Sequence, residues 1–98
     1  MTVKNYKPMI DELYKEILKL ETLEECEKFF SDLCTMKELE SMSQRIKSAK
    51  MLLEGKTYNE IIEHTDISSA TLSRVSKCIR YGEGGYKTII EKEPLKSN

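Results

Sequence analysis

The stretch TYNEIIEHTDISSATLSRVSK, residues 57–77, contains two short helical patterns separated by a turn. Thr57 and Glu60 have the spacing of a capping box and predict the start of the first helix, and Ser68 predicts the start of the second. Asp66 falls at the turn, where a left-handed backbone is convenient and aspartate tolerates it. The apolar residues expected to pack across this turn are Ile61, Ile62, Ile67, Leu72 and Val75. The pattern therefore predicts a helix-turn-helix.

The second helix of this stretch has an exposed face of small hydroxyl side chains and a few bases. Such a face can enter the major groove of DNA, about 12 Å wide, with the helix N-terminus toward the base edges. Ser69 and Ala70 permit close approach, while Arg74 can pair with a guanine or grip a phosphate. The candidate DNA-binding residues are Tyr58, Asn59, Ser68, Ser69, Ala70, Thr71, Ser73, Arg74 and Lys77. The alternative for this face is an ordinary solvent-exposed helix with a good cap.

The charges are unevenly distributed along the chain, although the net charge is only −1. Residues 11–40 carry ten acids and four bases, whereas residues 41–80 carry four acids and seven bases. Two groups of three basic residues have no acidic residue between their members. The first group is Arg45, Lys47 and Lys50, and the second is Arg74, Lys77 and Arg80. Because phosphate contacts depend on local potential, the near-neutral total does not exclude a nucleic-acid partner.

The rest of the sequence is also helical in pattern and has no alternating strand signal, so it predicts an all-α single domain of six helices. Thr22 with Glu25, and Thr35 with Glu38, form two further capping boxes. The predicted helices outside the helix-turn-helix run from Pro8 to Leu20, from Thr22 onward, from Met36 to Glu54 and from Tyr86 to Lys92. The predicted regions are 8–54 for dimerisation, 57–80 for the helix-turn-helix, 84–92 for the C-terminal helix and 93–98 for a tail.

The first two helices carry more apolar surface than a chain of this length can comfortably cover. The stripe on the first helix consists of Ile10, Leu13, Tyr14, Ile17 and Leu18. The second helix is expected to bury Leu23, Cys26, Phe29, Phe30 and Leu33. A short chain buries a modest fraction of its surface, so a homodimer that shares these faces is the favoured expectation, with a compact monomer as the alternative.

Several classes of protein and site are not indicated by the sequence. It has no apolar run of roughly 20 residues and no signal-peptide pattern at its N-terminus, so we expect a cytoplasmic protein without a membrane partner. Three cysteines without a C-x-x-C pair are read as free thiols, and a single histidine, His64, gives no metal site. We find no nucleophile–base pair and no glycine-rich phosphate loop, so we expect neither an enzyme nor a cofactor.

The segments FFSDLCTMKELESMSQRIKSAKMLLEGKTYNEII and SATLSRV resemble the Trp repressor superfamily, most closely its YerC/YecD branch of bacterial Trp-repressor-like proteins. The resemblance covers about residues 10 to 92. It implies a six-helix, all-α subunit in an intertwined homodimer, in which two recognition helices project toward successive major grooves of double-stranded DNA.

The resemblance also implies a possible site for tryptophan, which the Trp repressor binds beside its recognition helix. Thr35, Arg45 and Arg74 match positions that line or cover that pocket. Val75 stands where the repressor has glycine, and its side chain would take space that the indole needs. Cys78 stands where the repressor has a serine, so a hydrogen-bonding hydroxyl is lost. These two departures put the tryptophan site in doubt.

The sequence thus favours a transcriptional regulator that binds specific DNA sequences as a homodimer. We expect it to act as a repressor. One alternative is a helical protein-interaction module that keeps the scaffold without binding DNA, which the acidic region 11–40 would suit. A second alternative is a regulator gated by an effector other than tryptophan, held in the remodelled pocket.

Overall fold

The computed structural model describes residues 5–94, and these residues form six α-helices and no strand. The helices are α1 (Lys7–Ile17), α2 (Leu23–Leu33), α3 (Met36–Leu53), α4 (Tyr58–Thr65), α5 (Ser69–Tyr81) and α6 (Gly85–Ile90). The all-α prediction is confirmed. The chain divides into two compact units, Met1–Leu33 with α1 and α2, and Cys34–Asn98 with the other four helices.

In the first unit, α1 has Pro8 in its first turn, as predicted, but ends at Ile17 instead of Leu20. Its end is tightened by two short-range hydrogen bonds: the N–H of Lys19 donates to the Glu16 carbonyl at 3.1 Å, and the N–H of Leu20 donates to the Ile17 carbonyl at 3.1 Å. Helices commonly close their last turn in this way, because it satisfies carbonyls that have no partner within the helix.

The start of α2 shows half of the predicted capping box. The Thr22 hydroxyl accepts a hydrogen bond from the N–H of Glu25 at 3.0 Å. The Glu25 carboxylate, however, accepts from the N–H of Glu21 at 2.8 Å and not from that of Thr22. Both amides precede the helix and need an acceptor, so the carboxylate satisfies one orphan donor in either arrangement.

The apolar side chains of this first unit are exposed or half-buried. Neither α1 nor α2 contains a fully buried residue. Leu18 is 83% exposed and Leu23 77% exposed, so the expectation that α2 buries Leu23 is not met within the chain. Phe29 and Phe30 pack edge to face at 5.4 Å between ring centroids.

The second unit is built around α3, against which α4, α5 and α6 pack. Its buried core consists of Ala49, Met51, Ile61, Ile67, Leu72 and Val75. Partly buried residues that pack against this core are Leu52, Ile62, Ile79, Tyr86 and Ile90. The core lies at the C-terminal half of α3, since Met42 and Ile46 in its N-terminal half remain exposed.

Three helices of the second unit, α3, α4 and α5, begin where their caps predict. Thr35 and Glu38 form a complete capping box at α3, and Thr57 and Glu60 form another at α4. After α3 the chain turns at Gly55, whose φ of 86° is a left-handed conformation that glycine adopts without strain.

The last helix is shorter than predicted. It runs from Gly85 to Ile90, within the expected range 84–92. Gly82 separates it from α5, and a side chain at Gly82 would overlap the carbonyl oxygen of Cys78. Of the predicted tail, residues 95–98 lie outside the described part of the chain.

Candidate nucleic-acid interface

The turn between α4 and α5 is held by hydrogen bonds on both sides of Asp66. Asp66 has φ 61° and ψ 15°, the left-handed conformation that the sequence predicts there. The Thr65 hydroxyl donates to the Ile61 carbonyl at 2.8 Å and accepts from the N–H of Ile67 at 3.2 Å. Gln44 of α3 donates through Nε2 to the Thr65 carbonyl at 3.1 Å. These bonds fix the turn both locally and to the helix behind it.

A small apolar seam holds α4 and α5 together, as predicted. Ile61 and Leu72 are completely buried, and Ile67 and Val75 are 2% exposed. Burial of one such side chain contributes about 1.5–3 kcal/mol, so this seam stabilises the angle between the two helices strongly for its size. Two short helices, joined by a tight turn and packed on one another, have the connectivity of a helix-turn-helix.

The first turn of α5 is closed by two hydroxyls. Ser68 accepts a hydrogen bond from the N–H of Thr71 at 3.1 Å, which caps the helix. The Ser68 hydroxyl also donates its proton to Thr71 Oγ1 at 2.9 Å. The Thr71 side chain is half-buried. Because its oxygen accepts the Ser68 proton, one of its lone pairs is occupied and its own hydroxyl proton is left to donate.

The outer face of α5 combines small side chains with bases. Its exposed residues at helical spacing are Ser69, Ala70, Ser73, Arg74 and Lys77. We call these five residues the α5 stripe. The ion pairs formed within residues 5–94 all lie between residues 7 and 28, so neither cation of the stripe has an acidic partner there. Tyr58 and Asn59, in the first turn of α4, are also exposed.

The five residues predicted for an effector pocket lie on two helices, with Arg74, Val75 and Cys78 within about one turn of α5 and Thr35 and Arg45 on α3. Thr35 caps α3 and Arg45 lies ten residues further along the same helix, which places them about 15 Å apart along its axis. Thr35 and Arg45 are therefore separated by about three helical turns of backbone. Val75 points into the buried core, whereas Arg74 is exposed.

An open apolar depression of about 600 Å³ lies beside α5, toward its C-terminal end. It is lined by Ile46, Cys78, Gly82, Glu83, Gly85, Tyr86, Ile89 and Ile90. Of the predicted effector residues, only Cys78 is among those that line it.

Two residues that the sequence did not single out, Gln44 and Thr65, hold the turn before α5 in place. Thr65 directly precedes the turn, and its hydroxyl could have been predicted to bond to the nearby backbone, since short hydroxyl side chains often do so. Gln44 carries no such signal, because its bond joins residues 21 positions apart in the chain.

Comparison with known proteins decides the family. The family model described as Trp repressor protein matches residues 9–94. The chain belongs to the Trp repressor family. This family consists of regulatory proteins and not of enzymes, in agreement with the sequence analysis.

Individual relatives of the Trp repressor family agree with this assignment. The chain is 46% identical over 83 residues to the protein YerC of Bacillus subtilis (strain 168). The matched residues are 85% of this chain and 80% of YerC. A crystal structure of a "putative Trp repressor" from Staphylococcus aureus is 38% identical, with a TM-score of 0.84 over 98% of this chain and all of that one. The crystal structure of a TrpR-like protein from Eubacterium eligens ATCC 27750 is 44% identical, with a TM-score of 0.83 over 88% of this chain and 90% of that one.

Within residues 5–94, no three histidine, cysteine or acidic side chains come close enough together to hold a metal ion. None of the described helices is both long enough and apolar enough to span a membrane. The three cysteines are free and half-buried.

Proposed function

We propose that this protein is a cytoplasmic transcriptional regulator, of the repressor type, that binds specific sequences of double-stranded DNA as a homodimer. The observation that carries the proposal is the α5 stripe, which is exposed and combines small side chains with two cations. It lies on a helix-turn-helix whose turn is hydrogen-bonded to α3. Membership of the Trp repressor family supports the same conclusion.

The shape of the stripe suits a groove. Ser69, Ala70 and Ser73 leave no side chain longer than a hydroxymethyl group on the N-terminal part of the face, so the helix backbone can approach base edges closely. Arg74 extends beyond them and carries the donor fork that matches guanine or phosphate. The N-terminus of α5 adds a partial positive charge that favours a phosphate.

Residues around the stripe suit the DNA backbone. Lys77 lies about one turn beyond Ser73 and extends the positive face, while Tyr58 and Asn59 offer exposed donors at the start of α4. The Ser68 cap and the free proton of Thr71 add a donor for a phosphate oxygen. Contacts of this kind position the protein on the duplex without selecting its sequence.

The open apolar faces support the homodimer. Large apolar residues are exposed on α1 and α2, and Met42, Ile46 and Ile89 are exposed in the second unit. Exposed apolar residues of this kind commonly mark surfaces that a protein partner covers. Two copies would also present two α5 stripes, which matches the usual recognition of paired half-sites.

Tryptophan is not part of the proposed mechanism. Val75 is buried in the core where the resemblance leads one to expect glycine beside the ligand, and Cys78 offers no hydroxyl. An effector of different chemistry at that place is compatible with the proposal.

The test is a fluorescence-anisotropy titration with the tightest duplex selected from random DNA. Arg74→Ala should weaken binding by about 1–3 kcal/mol, roughly 5- to 150-fold, if Arg74 reads a base. Arg80→Ala is the matched control, since it removes the same charge from the same helix but about 9 Å further from its N-terminus. Added tryptophan should leave binding by the unaltered protein unchanged.

Salt separates DNA binding from the protein-interaction alternative. Binding through phosphates must weaken steeply as salt rises, with a slope set by the number of phosphates contacted. A helical module that binds only protein partners would give no DNA-dependent signal at any salt concentration, and that result would overturn the proposal.

A further inference from the structure

The α5 stripe contains two side chains, Ala70 and Arg74, whose chemistry matches features that differ between base pairs. Ala70 and Arg74 are four residues apart on α5, so they are neighbours on one face of the helix. Both are exposed, and the stripe's two serines lie beside them. The positions of these two side chains along the helix therefore bear on which DNA sequence the α5 stripe prefers.

The serine hydroxyls contribute little to such discrimination. A hydroxyl of Ser69 or Ser73 can donate or accept, so it can satisfy the edge of any base pair. Thr71 is more restricted, because one lone pair accepts the Ser68 proton and its own proton is left to donate. Phosphate oxygens are abundant acceptors for that proton, so the hydroxyls are better suited to contact the backbone.

Ala70 and Arg74 each match one base feature. In the major groove the one apolar group on a base edge is the C5-methyl of thymine, which fits the exposed methyl of Ala70. Two parallel acceptors, O6 and N7, occur on guanine and fit the guanidinium of Arg74. Within residues 5–94 no carboxylate holds Arg74 in an ion pair, so its donors are available.

The distance between the two residues sets the spacing of the two bases. Four residues of α-helix advance about 6 Å, and successive bases on a strand are about 3.4 Å apart. A helix that lies along the groove therefore brings these side chains to bases about two steps apart.

We propose that Ala70 and Arg74 give the protein a preference for half-sites in which a thymine and a guanine lie within about two base pairs of each other. The preference rests on the proposed DNA-binding function and deepens it, because it names the base features that the α5 stripe selects.

The first experiment is selection of bound duplexes from random DNA with the full-length protein. The expected result is an enriched half-site that contains a thymine and a guanine at the stated separation. Enrichment of half-sites without that pair would overturn the inference and leave the proposed function intact. No enrichment of any sequence, together with no binding at low salt, would overturn both.

The second experiment tests the thymine methyl by replacing that thymine with deoxyuridine in the selected duplex. This change removes one methyl group and keeps the base pair. The unaltered protein should bind about fourfold more weakly, the effect expected for one buried methyl-sized group. Ala70→Gly should bind the two duplexes equally, whereas the neighbouring Ser73→Ala should keep the difference. Equal binding by the unaltered protein would overturn the role given to Ala70.

The third experiment tests the guanine by replacing it with 7-deazaguanine, which lacks the N7 acceptor. The unaltered protein should lose affinity for this duplex, and Arg74→Ala should bind both duplexes equally because it has no donor to lose. An equal loss in Arg74→Ala would show that another residue reads the guanine and would overturn the assignment.

Discussion

Ser48 lies in the middle of α3 with its side chain completely buried, and its hydroxyl has no hydrogen-bond partner among the described residues. A buried donor without a partner costs about 1–3 kcal/mol relative to one that is hydrogen-bonded. Alanine at this position also favours a helix more than serine does. We therefore expect Ser48→Ala to raise the free energy of unfolding by about 1 kcal/mol, measured by chemical denaturation at a fixed protein concentration.

The matched control for this substitution is Ser43→Ala on the same helix. Ser43 is exposed, and its hydroxyl donates to the Leu39 carbonyl at 2.7 Å. The control gains the same helix propensity but loses a hydrogen bond, so it should change stability less than Ser48→Ala does. A clear loss of stability in Ser48→Ala would contradict the conclusion that the buried Ser48 hydroxyl has no hydrogen-bond partner.

Single residues differ in how far the sequence predicts them. Ser68 at the start of α5 and Asp66 in the left-handed turn follow from local chemistry, and the structure has both. Gln44 and Ser48 do not follow, because their surroundings depend on which helices pack against α3. The base-contacting roles of the α5 stripe stay predictions at this scale, since they concern a partner and not the fold.

At the scale of the helix, the cap of α3 gives the protein a pH dependence. The pKa of the Glu38 carboxyl lies below its usual value of 4.5, chiefly because it accepts a hydrogen bond from the backbone N–H of Thr35, and further because of a side-chain hydrogen bond with Thr35. A lowered pKa in the folded state means that the charged form stabilises the fold. That contribution is fully present above the unfolded-state pKa and is lost as the pH falls through the lower folded-state pKa.

We expect Glu38→Gln to be less stable than the unaltered protein at neutral pH, with a difference that shrinks as the pH falls below about 4. The measurement is thermal unfolding followed by circular dichroism at a series of pH values. Lys37→Gln removes a charge from the same turn without removing a titratable carboxyl, and serves as the control. A difference that is independent of pH would contradict the role of the Glu38 carboxylate in the cap.

Helix starts were more predictable than helix ends. Thr35 and Thr57 cap α3 and α4 in complete boxes, because the interaction involves residues only three apart. The box at Thr22 is incomplete, since the Glu25 carboxylate has a second amide, that of Glu21, within reach. The end of α1 depends on how its last carbonyls are satisfied, and the apolar pattern does not specify this.

At the scale of the whole molecule, the sequence predicted the all-α class and the family, but the apolar faces of α1 and α2 are not buried within one chain. Burial depends on every neighbouring surface, including those of a second copy, so periodicity identifies an apolar face without identifying what covers it. The excess apolar surface was nevertheless visible in the sequence, and it motivates the last prediction.

We expect the protein to sediment at twice its chain mass of 11.4 kDa and to lose this dimer when a charge is placed on the apolar stripe of α1. Ile10→Lys puts an ammonium group on the stripe, where dimerisation would have to desolvate it. Glu12→Lys adds the same side chain to the opposite face of α1, where it should leave the dimer intact. Analytical ultracentrifugation over a range of concentrations distinguishes these outcomes.

The same two variants connect assembly to DNA recognition. Two α5 stripes in one dimer would bind two half-sites together, so Ile10→Lys should lose affinity for a paired site and retain the weaker affinity for an isolated half-site. Glu12→Lys should keep the preference for the paired site. If Ile10→Lys remained dimeric, or if the unaltered protein sedimented as a monomer at the concentrations where it binds DNA, the exposed stripe would need a different partner.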